Sequence, residues 1–186
     1  MSENTFSKVL AFEDRFPVSE KRMEASFSQD KIHDLNSTAK EVLNAIITIE
    51  QLGYEQTNSD SNSNASELFR LEQKVDFVTE LLASLLLEKQ KRPEIKSLKM
   101  SARHLCWQPD ISLKKNEFCT VSIYLSQKYP AALELPVVII NSNLENSSDP
   151  ETEAKILLTD ENVMDDLTRM IFLYHRKQIA RNRTQS

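Results

Sequence analysis

Along residues 64–92, apolar side chains recur at spacings of three and four: Leu68, Leu71, Val75, Val78, Leu82 and Leu85. Such a heptad seam predicts a helix with one continuous apolar edge. Asn64 is placed to cap its first amides, Glu67 reaches back from three residues on, and Pro93 stops it. Leu81 and Leu86 flank the seam, so the apolar face is wider than a two-stranded coiled coil needs and suits a bundle of several helices. A second stretch has the same register, with Ile32, Leu35, Ala39, Val42, Ile46 and Ile49 lying between a polar start at 28–30 and the chain's only glycine, Gly53. Joined through the Asn/Ser-rich residues 54–63, the two predict a helical hairpin over residues 28–92. The simplest role for each seam is to cover the core of its own subunit. A hairpin buries few faces alone, however, and a fully buried aliphatic side chain stabilises by roughly 1.5 to 3 kcal/mol. Both seams are therefore expected to be surfaces of self-association.

Beyond Pro93 the period changes from seven to two. Residues 95–101, 103–107, 117–126, 132–143 and 152–159 are short, rich in Val, Ile, Thr and aromatics, and separated by turn-like stretches, which predicts strands. In the third, Cys119, Val121, Ile123 and Leu125 alternate with Phe118, Thr120, Ser122 and Tyr124, giving one wholly apolar face. Pro136 inside the fourth suggests an edge or a bulge. Asp160 is placed to cap a last helix reaching about Arg181, with Val163, Leu167, Met170, Ile171 and Tyr174 as its apolar stripe. The chain is thus of the α+β class: an arm at 1–27, the hairpin at 28–92, and a β domain with a C-terminal helix at 93–186. The arm carries Phe6, Val9, Leu10, Phe12 and Phe16 among charges, and this many aromatics favours docking on the domain over a solvated tail.

Composition removes several function classes. A net charge of −5 provides no global basic field for nucleic acid or an anionic membrane. Arg169, Arg176, Lys177, Arg181 and Arg183 late in the last helix are accounted for by its dipole, with phosphate or an acidic partner as the alternative. No apolar run approaches the length of a membrane span, and 1–17 lacks the charged start and apolar stretch of a secretory signal, so a cytoplasmic protein is expected. In that reducing setting Cys106 and Cys119 are expected as small buried apolar residues. One glycine cannot build a Gly-rich phosphate loop. His33, His104 and His175 stand in different elements without neighbours at ligand spacing, so no metal site is expected. His104 and Cys106 share one face of a strand, but nothing orients the imidazole as a base, and no catalytic residue is assigned. Trp107 is expected in the core, with purine stacking as the alternative.

The heptad helix from Leu68, the run from Leu98 to Trp107, residues 133–137 and the closing residues 171–178 together resemble the atypical, tetrameric branch of the PilZ family. The resemblance covers roughly 64–183. It implies a six-stranded antiparallel β-barrel with a C-terminal helix. It also implies a non-catalytic receptor or adaptor for cyclic di-GMP, a tetramer, and protein partners in signalling or motility, with no cofactor beyond the nucleotide as a possible ligand. Members that bind use an Arg-x-x-x-Arg element before the barrel, whose guanidinium groups fork onto phosphate and the guanine edge, and an Asp/Asn-x-Ser-x-x-Gly element on an early strand. With the serine laid on Ser101, this chain has Lys99 in place of the acid or amide and His104 in place of glycine, and only Lys89, Lys91 and Arg92 precede the barrel. A lost bidentate pair costs about 1 to 3 kcal/mol. The resemblance therefore implies Lys89, Lys91, Arg92, Lys99, Ser101 and Arg103 as nucleotide contacts of reduced strength, and self-association through Ile32, Leu35, Val42, Ile46, Ile49 and the 68–85 seam. The alternative is a coiled-coil scaffold or docking module unconnected to the nucleotide.

Overall fold

The structure, a computed structural model, describes residues 6, 9–55, 70–71, 73–75, 77–79, 81–82, 93–126, 129–142 and 151–184, with the backbone alone for 52–55 and 181–184. Six strands close into an antiparallel barrel: β1 (Ala11–Met23), β2 (Ile95–Ser101), β3 (His104–Trp107), β4 (Phe118–Ile123), β5 (Leu133–Ser142) and β6 (Thr152–Ile156), in the order β1-β2-β3-β6-β5-β4. Helix α1 (Gln29–Glu55) follows β1, and helix α2 (Glu161–Thr184) ends the chain. Closure leaves no unpaired edge to recruit another sheet.

Five strands fall where the period of two places them. The sixth comes from residues 1–27, expected above as an arm. Instead of docking from outside, Ala11–Met23 is the strand that completes the barrel. Its first half pairs with β2, from Ala11↔Ser101 to Pro17↔Ile95, and its second with β4, from Val18↔Ile123 to Met23↔Phe118. Pro17 stands at the handover, where its carbonyl accepts the Tyr124 N–H at 3.1 Å and Val18 N–H donates to Glu94 at 3.2 Å. Even-numbered residues face inward on both sides of the handover, with Phe12, Phe16 and Val18 buried, but Asp14 and Glu20 share that face and Pro17 interrupts the strand, which hides it from a period-two reading of apolar residues.

Pro136 lies within β5, opposite Thr120. Its carbonyl accepts the Leu157 N–H at 2.8 Å, beyond the last β5–β6 pair, Val137↔Ile156, so its missing N–H falls where that ladder has ended. The expected irregularity occurs farther along, between Ile139 and Asn141. Before β4, Asn116 takes a left-handed turn (φ 67°), a conformation asparagine tolerates better than most residues, and its N–H donates to Ile139 at 2.8 Å.

Val18, Leu98, Met100, Leu105, Trp107, Val121, Ile123, Leu133, Leu135 and Val137 are buried in one core. Trp107, at 1 % exposure, is a core residue, which removes the stacking alternative. Helix α2 packs on β1, where Phe12 stacks on Tyr174 (centroids 5.1 Å apart), Phe16 meets both rings edge-on, and the Tyr174 hydroxyl donates to the Leu125 carbonyl at 2.8 Å. Asp160 caps α2 as expected: its carboxylate accepts the Asn162 N–H at 2.9 Å, the main cause of a pKa below the usual aspartate value.

Helix α1 finds its cover within its own subunit. Capped by the Ser28 hydroxyl, which accepts the Lys31 N–H at 3.3 Å, it packs against α2 and β5. Leu35, Ala39, Val42 and Ile46 are buried within their own subunit together with Leu43 and Ile47, and Ile32 and Ile49 are half-buried. Asn36 donates to Thr159 at 3.3 Å, and Lys177 of α2 forms an ion pair with Glu50. The seam of α1 is therefore an intrasubunit seam, because the barrel flank and α2 leave an apolar groove that a helix must cover.

The second predicted helix behaves differently. The described residues between 70 and 82 are helical, and their seam positions face solvent: Leu71 is 59 % exposed, Val75 58 %, Val78 52 % and Leu82 56 %. Leu68, Leu85 and the loop at 56–63 lie outside the described residues.

Candidate functional site

The β2–β3 hairpin turns through Ala102 and Arg103, with Ser101 at its mouth. The Ser101 hydroxyl is buried and satisfies the turn's own backbone. It accepts the His104 N–H at 3.0 Å and the Arg103 N–H at 3.3 Å, and donates to the His104 carbonyl at 3.4 Å. A serine here thus has a folding role whether or not a ligand is bound, since side-chain oxygens readily close tight turns.

Beside the turn lies a cleft of about 250 Å³, bounded by Ser101, Ala102, Arg103 and His104 on one side, Val9 and Leu10 on another, and Thr168 and Ile171 of α2 on the third. Its size is below the ~300 to 1,000 Å³ usual for small-molecule sites, and its walls are mainly apolar. Arg103 is exposed at the rim, whereas His104 is half-buried, and its Nδ1 has no hydrogen-bond partner among the described residues. Burial pulls the His104 imidazole below its ordinary value of 6.5; Lys155 and Arg103 act in the same direction and Glu153 opposes them. Lys99 stands on the outer face of β2, paired across the sheet with Glu13 and Cys106. Of the six residues implied as nucleotide contacts, the structure gathers Ser101 and Arg103 at the cleft and sets Lys99 two residues before it. Lys89, Lys91 and Arg92 lie outside the described residues. The sequence gives no sign that Val9, Leu10, Thr168 and Ile171 share a site, because they converge from the two ends of the chain.

At the opposite end of β2 is an ionic plug that no motif announced. Lys96 occupies an inward position of the strand, with only 7 % of its side chain exposed. Its Nζ lies 2.6 Å from Asp110 and 3.5 Å from Glu20, whose side chain is 1 % exposed. These contacts are ionic and lack the angles of directed hydrogen bonds. Glu20 also accepts the backbone N–H groups of Asp110 and Ile111, so the plug ties β1, β2 and the loop after β3 together.

Both cysteines are free thiols. Cys119 is buried as expected, but Cys106 is half-exposed on the outer face, where it donates to Glu151 at 3.5 Å. Burial first, and then Glu151, pushes the Cys106 thiol up to about 12, and burial followed by Glu20 does the same for Cys119. Since the thiolate is the nucleophile, alkylation by iodoacetamide at pH 8 should be slow for both in the folded protein and rise to the rate of free cysteine on unfolding. Fast native labelling of Cys106 at pH 8 would contradict this environment.

Among the described residues, no group of three or more His, Cys, Asp or Glu is placed to hold a metal ion, and no helix is long and apolar enough to cross a membrane. On α2, besides the ion pair of Lys177, the Arg176 guanidinium lies 5.8 Å from the Phe172 ring centroid.

Six antiparallel strands closed into a barrel, with a helix packed along the closing strand, are the architecture of a PilZ-type domain, and a family match assigns the chain to that class. The chain belongs to the atypical PilZ domain family, described as a cyclic di-GMP receptor, whose model matches residues 43–184. Among solved structures it is similar to a tetrameric PilZ domain from Xanthomonas campestris, self-assembled through an unusual helical bundle. The TM-score is 0.73 at 20 % identity, with 94 % of this chain and 93 % of that one covered. At that identity the likeness is one of fold. A second match is the PilZ domain of YcgR from Escherichia coli with cyclic di-GMP, with a TM-score of 0.39 at 15 % identity over 50 % of this chain and 78 % of that one. Among curated proteins none matches.

Proposed function

We propose that this protein is a non-catalytic adaptor of cyclic di-GMP signalling, assembled as a tetramer through the 68–85 seam and holding the nucleotide less tightly than a complete motif would. The observation that carries the assembly is the exposure of Leu71, Val75, Val78 and Leu82, each more than half open to water in the single chain, whereas the matching seam of α1 is already covered. A contiguous apolar row on one helix is stabilised by association with copies of itself. The helical bundle of the Xanthomonas protein supports the same reading.

For the nucleotide, Lys89, Lys91, Arg92, Lys99, Ser101 and Arg103 remain the proposed contacts. The cleft is too small for a whole cyclic dinucleotide, which favours one base or phosphate at the β2–β3 turn and the rest across the outer face. Calorimetric titration of micromolar protein with cyclic di-GMP should give heat, with affinity roughly 10- to 100-fold below that of a complete motif. Arg103→Ala should weaken that binding further. Absence of heat at high ligand would remove the receptor reading. It would leave a scaffold, which the satisfaction of the Ser101 hydroxyl within its own turn favours as the second reading.

A further inference from the structure

Ahead of β1, Phe6, Val9 and Leu10 lie against the β2–β3 hairpin. Phe6 is set edge-on to His104, with ring centroids 6.3 Å apart and planes at 75°, and the Lys99 Nζ lies 5.1 Å from the centroid of the same Phe6 ring. Val9 and Leu10 continue from there as one wall of the cleft. An ammonium over one face and an imidazole at the edge are the contacts a purine ring would accept, because every base presents a π-face to a cation or an aromatic neighbour. Lys99 and His104 also occupy the two positions at which this chain replaces the acid or amide and the glycine of the binding motif.

We infer that Phe6 is an in-chain cover, occupying the surface where Lys99 and His104 would meet a purine ring and giving way when a purine nucleotide binds there. The inference rests on the receptor reading above and adds its regulation. A ring tethered a few residues from β1 competes at an effective concentration on the order of millimolar, so only a ligand with further contacts, such as those of Arg103, displaces it. The burial that holds the His104 imidazole low is consistent with such a cover; the charged groups facing this histidine are Glu153, Lys155 and Arg103.

The test compares full-length wild type, Phe6→Ala and Phe6→Trp. Phe6 is half-buried and outside the main core, so its truncation should leave the fold intact. Calorimetry with cyclic di-GMP should show Phe6→Ala binding about 3- to 10-fold tighter than wild type, the range expected for losing one cation–aromatic competitor, and Phe6→Trp no tighter than wild type. Without ligand, NMR titration of His104 should show its midpoint rising towards 6.5 in Phe6→Ala. Equal or weaker binding by Phe6→Ala, where wild type binds, overturns the inference. So does an unmoved His104 midpoint. If neither wild type nor Phe6→Ala binds at millimolar nucleotide, the receptor reading fails and the cover fails with it, whereas binding by wild type that Phe6→Ala does not tighten overturns the cover alone.

Discussion

Replacing Lys96 with alanine is expected to destabilise the subunit by about 3 to 5 kcal/mol, because it leaves Glu20 as an uncompensated charge in the barrel mouth. The Glu20 side chain is 1 % exposed, and water cannot replace the missing ammonium without opening the contact between β1 and β2. Asp110, the other partner, is 56 % exposed, so Asp110→Asn should cost under about 1 kcal/mol. A Lys96→Met, Glu20→Gln double variant, which removes both charges, keeps the volume and leaves an amide oxygen to accept the Asp110 and Ile111 N–H groups, should lie within about 1 to 2 kcal/mol of wild type. Urea unfolding checks the series, with midpoints compared at constant slope. A loss below about 1 kcal/mol for Lys96→Ala would mean that the plug is open to solvent.

The Val75→Asp, Leu82→Asp double variant is expected to fall to the single-chain mass of 21.4 kDa while keeping its fold. In an assembled seam these side chains lose water, and an unpaired carboxylate there is excluded. In the separated subunit both are already more than half exposed, so the same change costs the monomer little. The matching change on α1 separates the two seams. Ile46→Asp should unfold the subunit, since Ile46 is buried between the barrel and α2, whereas the Val75 and Leu82 variant should keep a folded barrel by circular dichroism, with an unfolding midpoint lowered only by the lost association. An unchanged mass for the double variant would mean that this helix is not an assembly surface.

The contrast between these helices marks what periodicity can tell. Apolar residues at 32, 35, 39, 42, 46 and 49 and at 68, 71, 75, 78, 82 and 85 repeat alike, because a helix lying on its own barrel and a helix lying on a neighbour present the same stripe. Which surface covers the stripe depends on the groove beside β5 and α2, a property of the assembled fold. Strands β2 to β6 were readable because each has one largely apolar buried face, whereas the inward face of β1 mixes Phe12, Phe16 and Val18 with Asp14 and Glu20 and is interrupted by Pro17. Lys96 illustrates a second limit. A lysine in a strand reads as surface until register turns it inward, and its partners, Glu20 and Asp110, are far away in sequence. Similarly, the resemblance points to Ser101 and Arg103, which are near neighbours in sequence, and gives no sign that Phe6, Val9, Thr168 and Ile171 lie near them.

Everything proposed for this protein as an adaptor depends on copies meeting through the exposed helix. Light scattering of the wild-type chain, from micromolar to high concentration, measures this directly. The expected mass is four times the 21.4 kDa of one chain and holds across dilution. A folded particle of 21.4 kDa at every concentration would contradict it.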